Sequence, residues 1–228
     1  MGSTVVPASR SRQNYLKALL QLRAGSPVSV SALARQLRVS APSVTNMLAR
    51  LAEERLVTLG ARGAASLTVE GERAALLVLR RHRILEAFLA NVLELDWSEV
   101  HEDAEELEHH VSDRVLDALD RYMRHPTEDP HGHPIPDSRG RLEHRVLAPL
   151  SALPAGSRAR VREVRGGDDR ARMTRWKRSG LVPGAQVRMV KANADEGLFT
   201  LEAAGRRVMA GRDGLNGVMV ERHPRGKA

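Results

Sequence analysis

A mainly α chain with a small β domain is the fold class that this 228-residue sequence predicts. Three observations carry it. Between Gln13 and Met123 apolar residues recur at helical spacing, and beyond Arg145 the chain turns to short β-like pieces separated by Gly, Pro and Asp. A stretch rich in Pro, Gly and His, from His125 to Arg141, divides the two. Residues 1–74, 75–140 and 145–226 are the expected domains.

Residues 1–12 read as a slightly basic disordered tail. Tyr15, Leu16, Leu19, Leu20 and Leu22 mark a first helix over Gln13–Ala24, stopped by Gly25-Ser26-Pro27. A serine cap opens a second helix, Val30–Leu37. Arg38-Val39-Ser40 is a tight turn, and Pro42 suits the first turn of a third helix ending near Glu54. Leu56–Leu59, a tip at Gly60–Gly63 and Ser66–Thr68 form a hairpin. Thr68 then caps a long helix from Val69 to about Leu93. An acidic helix runs to about Met123. The expected strands are Ala159–Val164, Gln186–Val190, Phe199–Glu202, Arg207–Met209 and Gly217–Val220, with a helical piece near Arg172–Arg178. Short strands at this spacing predict a small β-barrel.

Three helices followed by a hairpin make a winged helix-turn-helix, whose third helix enters the major groove of DNA. Its outward residues are Ser40, Pro42, Ser43, Thr45, Asn46 and Arg50, of which the polar ones offer donors and acceptors to phosphates and base edges. Arg62 sits at the hairpin tip, and Arg10, Arg12, Arg35 and Arg38 are placed for phosphates. The alternative is a three-helix module for protein contacts. A net charge of +8 and pI near 10.8 fit a polyanionic partner such as double-stranded DNA. With no cysteine, disulfides and thiolate metal sites are excluded. With no long apolar run the chain is expected to be cytoplasmic, with no membrane association.

Against this basic background, Ile84–Asp113 holds ten acidic residues and three histidines but no lysine or arginine. At about 100° per residue, His101, Glu105, Glu108, His109 and Ser112 share one arc, beside the apolar arc of Val100, Ala104, Leu107, Val111, Val115 and Ala118. His82 and Glu86, at i and i+4, lie on the apolar face of the preceding helix. Carboxylates and imidazoles gathered beside a core are most simply satisfied by a cation, and these six supply ligands for one six-coordinate ion or two adjacent ions. A histidine–glutamate hydrogen-bonded pair is the alternative for His82 and Glu86 taken alone. His125, His131 and His133 are read as parts of a structural loop. Phe88, Val92, Leu95, Trp97, Val115, Leu119 and Tyr122 are expected to build a dimer interface.

At these residues the chain resembles the diphtheria toxin repressor family of metal-dependent transcriptional regulators. The likeness runs from the first helix to about Pro136. It is carried by Ser40-Ala-Pro-Ser-Val-Thr, Leu67-Thr-x-x-Gly71, Arg81-His-Arg-x-x-x-Glu86, Val100-His101 through Glu108-His109, Ser112-Asp113 and His131-Gly-His-Pro-Ile-Pro136. The resemblance implies a homodimer on a palindromic operator with a divalent corepressor, repressing metal-uptake genes. It further implies an ancillary site at His82, Glu86 and His101, and a primary site at Glu105, Glu108 and His109 with Asn14 from the first helix. Iron-sensing members have cysteine where this chain has Glu105, so the glutamate resembles the manganese-sensing branch, and carboxylate oxygen favours the harder Mn²⁺. Fe²⁺ is the alternative corepressor, and an iron-responsive repressor of the same family the alternative function. Asn14 replaces a methionine or aspartate, and Lys17 stands where some manganese members have glutamate, which points to two separated sites. The C-terminal region, with its Gly180-Leu-Val-Pro-Gly184 turn, resembles an SH3-like domain similar to ferrous iron transport protein A. Asp169, or Asp168, would lend a carboxylate to the ancillary site. A metal-dependent phosphoesterase is the alternative from another class. No nucleophile or general base stands out for it, so the expectation is a regulator and not an enzyme.

Overall fold

The structure, a computed structural model, describes residues 9–23, 26–166 and 169–222. Contacts divide the chain into two compact units, Met1–His82 with Ile135–Glu143 and Arg83–Pro134 with His144–Ala228. The division falls inside one continuous helix.

In the first unit, α1 (Arg10–Leu22), α2 (Val30–Leu37) and α3 (Ala41–Glu53) precede a hairpin of β1 (Val57–Leu59) and β2 (Ala65–Leu67). Leu16, Leu19, Leu33, Val44, Leu48, Leu51 and Val57 build their common core. Ser29 and Ser40 cap α2 and α3 by accepting the amides of Ala32 and Ser43, satisfying donors that a helix start leaves unpaired. Arg38 turns the chain between them in the left-handed region, at φ 54°. Helix α1 starts at Arg10, three residues before the expected boundary, so Arg10 and Arg12 are helical and not part of a tail. Residues 1–8, Ala24, Gly25 and Asp168 lie outside the described residues. Thr68 accepts the Gly71 amide and donates to the Arg55 carbonyl, which fixes the start of α4 (Val69–Asn91). A Cβ on Gly71 would meet the Leu56 carbonyl oxygen at 1.8 Å, so only glycine allows this close approach.

The second unit begins with the end of α4. The single acidic helix expected next is two helices, α5 (Val100–Leu107) and α6 (Asp113–Tyr122). Ser112 accepts the Val115 amide and starts α6 afresh after a turn at His109 and His110. The break rotates the faces: Leu107 and Val115, expected inward, are exposed, and Leu116 is buried in their place.

Beyond the irregular segment come β3 (Ala148–Pro149), β4 (Arg158–Val164), α7 (Arg170–Arg178), β5 (Gln186–Asn193), β6 (Leu198–Ala203), β7 (Arg206–Gly211), α8 (Arg212–Leu215) and β8 (Val218–Arg222). The strands form one antiparallel sheet in the order β3-β8-β4-β5-β6-β7. Among the described residues it does not close into the expected barrel. Strand β3, two residues long and ending in a proline without an amide donor, is one edge and β7 the other. Leu150, Leu153, Met173, Trp176, Phe199 and Leu201 fill its core. Trp97, expected at a dimer interface, packs against this core instead. Its neighbours hold it there: Arg170 pairs with Glu99 and Lys177 with Asp96. The Ser98 amide, Lys177 and the Ser98 hydroxyl together depress the Asp96 carboxyl to about 2. Among the described residues, no helix is long and apolar enough to cross a membrane.

Candidate metal centre and nucleic-acid interface

Helix α4 carries His82 and Glu86 one turn apart, both buried, and α5 carries His101 and Glu105 one turn apart. His82, Glu86 and His101 each offer a ligand atom within 4.8 Å of the others, and so do His82, Glu105 and Glu108. His82 thus stands in both groups, and among the described residues His109, expected beside Glu105 and Glu108, is in neither. His101 Nδ1 lies 2.9 Å from Glu86 Oε1. Glu108, at the C-terminal cap of α5, has no solvent exposure, and His109 Nε2 stands 3.4 Å from its Oε1. Buried carboxylates facing imidazoles are costly without positive charge between them, and nitrogen with oxygen donors suits a first-row divalent ion.

Asn14 lies on α1, where its side-chain oxygen is buried and without a hydrogen-bond partner among the described residues. An orphaned carbonyl oxygen is what an oxygen-binding cation needs. Lys17, on the same helix, is buried as well. The Asp169 carboxylate is committed locally, since it caps α7 by accepting the Arg172 amide and stands 3.3 Å from Arg172 Nε. Among the described residues it joins none of the candidate metal-holding groups.

One residue read as loop structure stands apart. Asp129 organises the turn by accepting the amides of His131 and His133, with His133 Nδ1 at 3.0 Å, and His125 pairs with Asp120. His131, however, is buried, with Nδ1 3.6 Å from Glu86 Oε2 and Nε2 2.8 Å from the Trp97 carbonyl. Burial works against its charged form, but the hydrogen bond and attraction of Glu86, with Asp129 and the Trp97 carbonyl, outweigh it and raise its pKa. Asp129, His131 and His133 also lie close enough together to share a cation. The available signal was the motif His131-Gly-His-Pro-Ile-Pro136, whose loop Arg80 and Arg83 anchor through the carbonyls of Pro136 and Pro134. At Gly132, φ is +85° and a Cβ would meet the Arg162 carbonyl oxygen at 1.8 Å. Gly132→Ala is therefore expected to displace His131 and to cost about 3 kcal/mol or more in a denaturant melt.

On α3, Val44, Leu48 and Leu51 are buried, while Ser40, Pro42, Ser43, Thr45, Asn46 and Arg50 are exposed. Ser40 and Ser43 share a 2.8 Å contact and Thr45 donates to the Ala41 carbonyl, so these hydroxyls partly stiffen the helix start. Asn46 and Arg50 make no side-chain hydrogen bond among the described residues, which leaves both available to base edges. Arg62, at φ 56°, projects from the hairpin tip. Arg12 is drawn into an ion pair with Glu54 at 2.8 Å, away from the phosphate role expected for it.

Comparison with known proteins matches three family descriptions in series. These are "Iron dependent repressor, N-terminal DNA binding domain" over residues 8–65, "Iron dependent repressor, metal binding and dimerisation domain" over 68–137, and "FeoA domain" over 148–222. The chain is 32% identical over 190 residues to the iron-dependent repressor IdeR of Mycobacterium leprae, covering 76% of this chain and 80% of that one. It is 31% identical over 123 residues to the diphtheria toxin repressor of Corynebacterium diphtheriae, about half of each chain. Among solved structures, a manganese-dependent transcriptional repressor in complex with manganese is similar with a TM-score of 0.85 and 33% identity, covering 93% of this chain and all of that one. ScaR with bound Cd²⁺ is similar with a TM-score of 0.80 and 28% identity.

Proposed function

Because this chain belongs to the iron-dependent repressor family of metal-dependent, DNA-binding transcriptional repressors, which are not enzymes, we propose that it is a manganese-responsive member acting in the cytoplasm as a homodimer on a palindromic operator. The observation that carries the choice of metal is Glu105, placed with His82 and Glu108 in a chain without cysteine. A carboxylate there in place of a thiolate selects a harder ion. The relatives described as iron-dependent keep Fe²⁺ as the competing reading. Repression of metal-uptake genes follows from the same family resemblance.

His82, Glu86 and His101 would hold one ion, and Glu105, Glu108 and His109 with Asn14 the other. The bound cation supplies positive charge to buried carboxylates. The orphaned Asn14 oxygen supports its role, and the buried ammonium of Lys17 supports mononuclear sites over a shared binuclear cluster. Asp169, being committed to its cap, contributes only if that cap opens; His131 is the buried group that faces Glu86 instead. Engaging Asn14 and α5 together fixes α1 and through it the recognition helix α3. A coupling of a few kcal/mol suffices for a switch.

Replacing Glu105 with cysteine should move selectivity towards softer ions, with Cd²⁺ or Fe²⁺ gaining about tenfold or more over Mn²⁺ in competition titrations. Unchanged selectivity would remove the argument for manganese.

A further inference from the structure

The largest excess of positive charge in this protein lies outside its DNA-reading domain. Residues 1–74 hold 10 Lys and Arg against 4 Asp and Glu, and residues 75–140 hold 7 against 15. Residues 145–228 hold 18 against 8, a net +10 that exceeds the +8 of the whole chain. Part of this excess lies in a row across the exposed face of the C-terminal sheet. Arg158 of β4 stands directly opposite Arg188 of β5, which is opposite Glu202 of β6, which is opposite Arg207 of β7. Arg160 follows on the same face of β4. Like charges directly opposite each other destabilise a strand pair. Glu202 is the one carboxylate in the row, 3.8 Å from Arg188 and 3.7 Å from Arg207. Arg158 and Arg160 have no ion pair among the described residues. Beside the row opens a groove of about 1300 Å³, lined by Arg158, Arg188, Arg222 and the turn Leu153–Ser157.

We infer that this face is a second, sequence-independent DNA contact, which takes the phosphodiester backbone flanking the site read by α3. Arg158 and Arg160, unopposed, and Arg188 and Arg207, which share one carboxylate between them, complement a line of phosphates and suit bidentate pairing with them. DNA is favoured over an acidic protein segment because the same chain already carries a DNA-binding domain. Once that domain is bound, the tethered sheet meets phosphates at a high effective concentration. The inference rests on DNA binding by the N-terminal domain and adds a second surface to it.

The test compares the full chain with the triple variant Arg158→Ser, Arg160→Ser, Arg188→Ser and with the corresponding triple lysine variant, all loaded with Mn²⁺. Operator and unrelated duplexes are titrated from 50 to 200 mM salt. Each lost phosphate contact lowers the slope of log affinity against log salt by about 0.9. The serine variant is expected to lose 2 to 3 units per protomer and to weaken on both duplexes alike, by roughly tenfold or more at 150 mM salt. The lysine variant should keep the slope, metal affinity should not move in either variant, and the thermal midpoint of the serine variant should hold or rise as opposed like charges are removed. An unchanged slope in the serine variant overturns the inference, as does an equal loss in the lysine variant. Binding of a polyglutamate peptide that the serine variant loses, with the DNA slope intact, reassigns the face to an acidic protein. If the native protein itself ignores the operator, the parent reading has failed and not this one.

Discussion

Glu108→Gln is expected to abolish metal-dependent operator binding while leaving the protein folded. Its carboxylate has no solvent exposure and faces His109 at 3.4 Å, and with His82 and Glu105 it forms one of the groups able to hold a cation. Losing an outer partner of a metal ligand costs 10- to 100-fold in affinity, so losing a charged ligand should cost about 100-fold or more. Glutamine keeps the shape and removes the charge. Calorimetric Mn²⁺ titration with a parallel gel shift measures metal and operator binding. A variant that binds Mn²⁺ normally would place the metal elsewhere.

The second large effect concerns the recognition helix. Asn46→Ala should weaken operator binding by about 1–3 kcal/mol, roughly 5- to 150-fold, and leave affinity for unrelated DNA nearly unchanged, because the amide is suited to an adenine edge. Arg50→Ala should combine a smaller loss of specificity with a shallower salt dependence. Fluorescence anisotropy on both duplexes separates these outcomes. An equal loss of Asn46→Ala on both would make Asn46 a backbone contact.

Where structure depends on neighbours in sequence, it was legible. Apolar spacing, serine caps and Pro42 locate α1 to α3, and the outward set on α3 follows from the same periodicity. The acidic segment misled because helical spacing continues across a break. Ser112, read as a ligand-face residue, is the cap that restarts the chain. His82, Glu86, His101, Glu105 and Glu108 are brought together because two helices share i, i+4 geometry, a local signal. His131 was not legible as a neighbour of Glu86. It lies 45 positions away in an irregular loop, and its place depends on Asp129 and on arginine bonds to proline carbonyls. The same holds for Trp97, which is drawn to the C-terminal core by ion pairs with α7. The arginine row needed strand register, which composition does not contain.

In the proposed function, Mn²⁺ gates the DNA-bound state through the cluster of His82, Glu86, His101, Glu105 and Glu108. The direct measurement is operator affinity of chelator-stripped protein, titrated with Mn²⁺ at fixed salt. A coupling of 1–3 kcal/mol predicts an affinity gain of about 5- to 150-fold at saturating micromolar Mn²⁺, reversed by chelation. By reciprocity, Mn²⁺ affinity should rise equally in the presence of operator. Operator affinity that is the same with Mn²⁺ and with chelator would contradict gating by the metal.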